Sequence, residues 1–174
     1  MITLRCTQKV RKRLRLTETT SDSPPPTTAL GNWYVNLVRF GRQQVVMATS
    51  ERSLLTVLLP ARHLRQSLVP NLQSAVRQLL IVLGIPRDTI GREIAAMQPA
   101  AFASAVNRRV LGSMNEFAWQ AGAYLDRTDD ALELARQLSE TPMSAVGSKS
   151  RLGIPADVAR ELIEAHYAAS SFRH

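Results

Sequence analysis

Residues 33–50 read WYVNLVRFGRQQVVMATS, and this stretch decides the fold. The runs WYVNLVRF and QQVVMAT are rich in the β-branched and aromatic residues that favour strands. The Gly41-Arg42 pair between them fits a two-residue type II′ turn, so the sequence predicts a β-hairpin. A third run, SLLTVLLP, follows closely and ends at Pro60, which extends the hairpin to an antiparallel meander.

The opening residues 1–17, MITLRCTQKVRKRLRLT, are strongly basic and raise the question whether they belong to the fold. Residues 2–6 alternate apolar and polar side chains, which predicts a half-buried strand. Thr7 is suited to cap a helix, and Val10 and Leu14 lie on one side of that helix. We therefore expect a strand and a basic helix that form part of the fold, not a detachable targeting peptide.

Helical periodicity dominates the chain after Arg62, with predicted helices over 70–84, 85–97, 106–125, 129–140 and 154–169. The predicted fold class is α+β, with a small antiparallel sheet of four runs and several helices packed on one face. We expect a single α+β domain over residues 1–140, with a Pro-rich loop over 21–31 inside it. Residues 141–174 are expected to form a short loop and a C-terminal helix, either packed on this domain or semi-independent.

Charge is distributed unevenly along the chain, whose net charge is +8. Residues 1–115 hold 16 basic and 5 acidic side chains, whereas residues 116–174 hold 6 basic and 9 acidic ones. This asymmetry predicts a positive face for an anionic partner, with nucleic acid as the first candidate. The alternative is that the arginine content is a compositional habit without a partner.

The single cysteine, Cys6, excludes an internal disulfide and fits a reducing compartment. No apolar run reaches the roughly 18 residues that a membrane span needs. We therefore expect a cytoplasmic protein without membrane contact, although an Arg-rich and acid-poor start also resembles a mitochondrial presequence in composition.

Catalytic and metal-binding motifs are missing from the sequence. The three histidines are far apart, and neither HxxxH nor CxxC occurs, so no metal is predicted. GSKS at 147–150 resembles the end of a phosphate loop, but the upstream glycine that this motif requires is absent. We expect no cofactor, and no residue is assigned as catalytic.

Two constellations remain as candidate binding sites. The residues Arg108, Gly112, Asn115, Glu116 and Trp119 fall on one stripe of the 106–125 helix. The Arg, Asn and Glu side chains would grip a phosphate, a base or another polar ligand, with Trp119 as a stacking surface. A glycine inside a helix often marks a close approach, so the alternative is that Gly112 only lets another element pack closely.

The second constellation is Arg62, His63 and Arg65, where a strand gives way to a helix and anions can bind. With the basic opening and the arginines of the stripe helix, the anion-binding candidates are Arg5, Lys9, Arg11, Lys12, Arg13, Arg15, Arg62, His63, Arg65, Arg108 and Arg109.

Three functional hypotheses follow from these features. The first is a non-enzymatic binding module for an anionic partner, namely nucleic acid. The second is a protein-interaction component of a toxin–antitoxin or mobile-element pair. The third is an enzyme acting on nucleic acid or a nucleotide through His63 and Asn115 or Glu116, which requires those side chains to converge. The lack of a catalytic motif favours a non-enzyme.

The chain contains four motifs in this order: MITLRCTQK, LGNWYVNLV, LLTVLLPAR and VLGSMNEF. Through them it resembles an uncharacterised bacterial family, a domain of unknown function. The resemblance covers Met1 to Leu125. It implies a small cytoplasmic bacterial protein, and it carries no activity or catalytic residue over to this chain.

Overall fold

The computed structural model describes residues 1–17, 24–125, 130–144 and 153–171. Within them lie five strands, β1 (Ile2–Cys6), β2 (Trp33–Phe40), β3 (Gln43–Ser50), β4 (Thr56–Pro60) and β5 (Ala100–Ser104). The six helices are α1 (Gln8–Leu14), α2 (Leu64–Val82), α3 (Arg87–Ala96), α4 (Arg108–Tyr124), α5 (Ala131–Ser139) and α6 (Pro155–Ser171). The α+β fold class is therefore confirmed.

The predicted hairpin and meander are present. β2 pairs with β3 from Trp33 opposite Ser50 to Phe40 opposite Gln43, and β4 adds antiparallel to β3. Gly41 adopts a φ of +56°, the left-handed conformation that the first central position of a type II′ turn requires. The turn chemistry thus sets the register of the central strands.

The first strand pairs differently from the expectation. β1 lies parallel to β2 on one side and parallel to β5 on the other, in the sheet order β4-β3-β2-β1-β5. The expected all-antiparallel sheet is wrong because α1 and the loop after it carry the chain back before β2 begins. The fifth strand, β5, was not expected, since its alanine-rich sequence AAFAS has little intrinsic preference for strands.

Helices cover both faces of the sheet, so the expectation of helices on one face is also wrong. Side chains of β2 alternate between two hydrophobic clusters, with Trp33 and Val35 in one and Tyr34 and Val38 in the other. α1, α2, α3 and α6 contribute to the first cluster, whereas α4 lies on the second. A strand that is apolar on both sides needs cover on both sides.

Three further details differ from or add to the sequence prediction. α2 begins before Pro70 and continues through it, because the buried Leu68 and Leu72 hold both halves against the same core. Val106 precedes α4 and is 68% exposed instead of buried. α6 packs into the first cluster through residues such as Ile163 and Tyr167. None of the described helices has the length and apolar character of a membrane span.

Candidate nucleic-acid interface

Basic residues from four separate segments meet at one end of the sheet. β1, β2, β4 and β5 all run in the same direction, so their carboxyl ends lie together. Five basic residues follow β1, two flank the β2–β3 turn, two follow β4 and two follow β5, and no acidic residue lies among them. We call this set the basic end: Lys9, Arg11, Lys12, Arg13, Arg15, Arg39, Arg42, Arg62, Arg65, Arg108 and Arg109.

Among the described residues, no ion pair neutralises the basic end. The salt bridges between described residues join Arg136 to Glu133 and Glu140, and Arg160 to Asp157, at 2.7–2.8 Å. All of them lie in or next to α5 and α6. Within the described part of the chain, the positive charges of the basic end therefore remain available to an external anion.

The predicted stripe on α4 faces solvent along its whole length. Its five residues, Arg108, Gly112, Asn115, Glu116 and Trp119, are all exposed, while Met114 and Phe117 on the opposite side are buried in the second cluster. A Cβ built at Gly112 meets no atom within 4 Å, so no described part of the chain packs closely there. The stripe carries one positive charge, Arg108, at its start and one negative charge, Glu116, about two turns further along the helix.

The start of α4 is fixed to the sheet through polar contacts. The Asn107 side chain accepts hydrogen bonds from the backbone N–H groups of Arg109 at 3.0 Å and Val110 at 3.4 Å. The Asn107 backbone N–H in turn donates to the Tyr34 hydroxyl at 3.3 Å. Burial, with Glu51 nearby, raises the pKa of Tyr34, so this hydroxyl stays neutral and holds Arg108 and Arg109 at the basic end.

An open groove of about 910 Å³ separates α4 from β2 and the start of α1. We call it the Trp119 groove. Its polar rim comprises Lys9, Asn36, Arg39, Gln44, Asn115 and Trp119, and Val38, Phe40, Ala118 and Gly122 are among its apolar residues. It joins three candidates from two distant parts of the sequence, namely Lys9 with Asn115 and Trp119.

A second cavity of about 420 Å³ lies on the other side of the β2–β3 turn. Arg42 and Arg62 line it, and Phe40 and Gln44 line both this cavity and the Trp119 groove. The turn therefore connects the two cavities, and Arg62 joins the same charged end as Lys9.

His63 does not line either cavity. It is exposed, adopts a φ of 51°, and its carbonyl accepts a hydrogen bond from the Ser67 hydroxyl at 3.0 Å. Glu116 lines neither cavity as well. The structure thus does not bring His63 and Glu116 together around one of these cavities, as the enzyme hypothesis requires. Arg65 is exposed on the first turn of α2.

Two of the candidate arginines are partly inside the protein. Arg5 and Arg11 are half-buried, and the Nε atom of each is buried without a hydrogen-bond partner. Arg5 lies on the strand face that carries Tyr34, whose pKa its charge pulls downward. Lys12, Arg13 and Arg15, in contrast, are exposed on α1 or directly after it.

The described residues contain no group of three His, Cys, Asp or Glu side chains that would hold a metal ion. Cys6 is buried, and its desolvation raises the pKa of the thiol to about 12, so it is not a nucleophile near neutral pH. The GSKS motif at 147–150 lies outside the described residues.

Sequence reasoning missed Arg39, Arg42, Asn36 and Gln44. Two of these residues flank Gly41, so arginines on both sides of a predicted turn were the available signal. Asn36 and Gln44 are polar side chains inside predicted strands. Nothing in the sequence alone places them beside Trp119, which lies more than seventy residues later in the chain.

Comparison with protein families matches residues 3–158 to the model of a domain of unknown function, DUF6933. The chain belongs to the DUF6933 family. The DUF6933 match begins one residue inside β1, includes the other four strands and the first five helices, and ends shortly after the start of α6. The resemblance to an uncharacterised family is thereby confirmed. No curated protein matches the chain significantly.

Proposed function

We propose that this protein is a non-enzymatic binding module that recognises nucleic acid through its phosphates, with the basic end as the contact surface. The observation that supports this function is the convergence, at the carboxyl ends of four strands, of eleven basic residues from chain segments that contain no acidic side chain between them. We place the activity in the bacterial cytoplasm, which fits a buried free thiol as the single cysteine.

Arginine predominates in this surface, and its chemistry suits phosphate. Nine of the eleven residues of the basic end are arginine, and the other two are Lys9 and Lys12. The guanidinium group offers a planar fork of donors that matches two phosphate oxygens at once. Contacts of this kind fix the position of a nucleic acid and contribute affinity, but they carry little base specificity.

Charge reversal tests the proposal. We expect the double variant R42E/R62E to weaken binding to every oligonucleotide sequence, because both side chains line the cavity at the basic end. The matched control is R77E/R87E, which makes the same change of net charge. Arg77 is exposed on α2, roughly 20 Å along the helix axis from Leu64 at 1.5 Å per residue.

The measurement is the dependence of log Kd on log salt concentration, from fluorescence anisotropy of labelled oligonucleotides. Loss of two phosphate contacts is expected to reduce the slope by about 1.4 to 1.8 in R42E/R62E, while the control keeps the wild-type slope. Equal slopes in the two variants would show that only net charge matters. No binding by the wild type at low salt would overturn the proposal.

A further inference from the structure

Trp119 is the most exposed of the large apolar side chains, at 77% of its surface, within the described residues. Tryptophan is usually well buried, because it removes more apolar area from water than any other residue. Trp119 instead stands on the solvent side of α4, at the rim of the Trp119 groove. Its ring face is therefore available to a planar ligand.

The same groove places cations close to this indole. Lys9 and Arg39 line it from α1 and β2, and none of its lining residues is acidic. Both cations belong to the basic end. A ligand in the groove therefore meets an aromatic face on one side and positive charge on the other.

Amide groups supply hydrogen-bonding capacity between the cations and the indole. The Thr7 hydroxyl donates to Asn36 Oδ1 at 2.9 Å, which occupies the amide oxygen and leaves the NH₂ group without a partner in the described structure. Asn115 adds a second exposed amide, on the same face of α4 as Trp119. Amides of this kind bond to base edges, which present both donors and acceptors.

The groove also has an apolar part. Val38 and Phe40 of β2 line it, and a Cβ at Gly122 would lie 3.7 Å from the Phe40 ring. This is an ordinary contact distance, so the Phe40 ring lies against α4 at this point. The volume of about 910 Å³ falls within the range of roughly 300–1,000 Å³ that is typical of small-ligand sites.

We propose that the Trp119 groove holds an unpaired base of a single-stranded nucleic acid, stacked on Trp119, with the neighbouring phosphates at Lys9 and Arg39. This inference rests on the proposed function and names its substrate class. In a duplex both faces of each base are covered by its neighbours, so a stacking site selects single strands. Sequence preference is weak, since every base has a π face.

Two variants of Trp119 separate stacking from charge. We expect W119A to weaken binding of a single-stranded ten-nucleotide oligomer by about 5- to 150-fold, the usual effect of losing one stacked base. W119F keeps an aromatic face and retains most of the affinity. Binding of the corresponding duplex changes less than twofold in both variants. Because the side chain is exposed, circular dichroism is expected to show an unchanged fold.

Intrinsic fluorescence reports the same contact without a label. The chain has two tryptophans, and Trp33 is 1% exposed. Quenching of the emission by the single strand is therefore expected in the wild type and in R77E/R87E, and absent in W119F. K9E/R39E is expected to require higher oligonucleotide concentrations for the same quenching.

The outcomes distinguish the two proposals. If W119A binds single strands as tightly as the wild type while R42E/R62E binds both forms weakly, the base site is overturned and the phosphate surface stands. Equal wild-type affinity for single strands and duplex also overturns the base site. If neither form binds at low salt, both proposals fail together.

Discussion

Replacement of Tyr167 by Phe is expected to lower the free energy of unfolding by about 2 kcal/mol, because it removes a buried hydrogen bond to a carboxylate. The Tyr167 hydroxyl donates to Glu93 at 2.6 Å, and the two residues are 8% and 1% exposed. The same carboxylate accepts from the backbone N–H groups of Ala29 at 2.9 Å and Leu30 at 3.0 Å. Hydrogen bonds to charged groups contribute roughly 1.5–3 kcal/mol each, which sets the expected size.

This contact joins α6 to α3, and the Glu93 carboxylate of α3 also binds the loop before β2. The family match nevertheless ends at residue 158, near the beginning of α6. The assay is urea unfolding at pH 7, followed by circular dichroism. Y124F is the matched control, since it deletes the same hydroxyl from a half-buried tyrosine with no hydrogen bond in the described structure. We expect Y124F to change stability by less than about 0.5 kcal/mol.

A double-mutant cycle with Glu93→Gln completes the test. The neutral amide weakens the bond from Tyr167, so we expect a coupling energy of about 1 kcal/mol between the two positions. If Y167F matches Y124F, or if the two changes are strictly additive, α6 is not held by this carboxylate and the reasoning is wrong.

Alkaline pH gives an independent view of the same hydroxyl. Burial, followed by the bond to Glu93, raises the pKa of Tyr167 above its ordinary value of 10.0. Above pH 10 the unfolded chain therefore loses this proton before the folded one does, and the free energy of unfolding falls as pH rises. We expect the stability advantage of the wild type over Y167F to shrink above pH 10, but not between pH 7 and 9.

Two further predictions concern Cys6 and Gly112. Burial raises the pKa of Cys6 from 9.0 to about 12, so the native protein is expected to react slowly with a thiol reagent, and fast labelling would contradict the burial. The unfolded thiol ionises first as the pH rises from 9 to 12, so the free energy of unfolding falls over this range, and C6A is expected to remove that fall. G112A is expected to raise the unfolding free energy by up to about 1 kcal/mol without changing oligonucleotide affinity, because the site is open and helical; weaker binding by G112A would instead show that a ligand approaches this glycine.

Local patterns in the sequence were sufficient for the elements whose signals are local. The hairpin follows from two β-rich runs around Gly41, and α4 follows from Val110, Met114 and Phe117, which are buried as their spacing predicts. The exposed stripe on α4 follows from the same periodicity. The predicted start of α2 at Pro70 is wrong, because burial of the leucines on both sides of Pro70 outweighs the backbone hydrogen bond that proline lacks.

Pairing between distant segments was beyond this kind of reasoning. The alternation of residues 2–6 predicts a strand, but nothing in it distinguishes a parallel from an antiparallel neighbour. β5 has only the sequence AAFAS, and its place is set by pairing with β1 from Ile2 opposite Ala100 to Cys6 opposite Ser104. A strand of this kind is determined by its partner more than by its own residues.

The direction of β1 is also what creates the candidate interface. An antiparallel β1 would release the chain at the opposite end of the sheet, where Glu51 and Arg52 follow β3. Lys9 would then lie a strand length away from Arg39 and Trp119, and the Trp119 groove would lose one of its two cations. The sequence identifies most of the basic residues one by one, but only the parallel pairing of β1 with β2 brings them to one surface. The topology of the sheet therefore creates this binding surface. The salt dependence of R42E/R62E and the binding of single strands by the Trp119 variants consequently test the sheet order as well as the function.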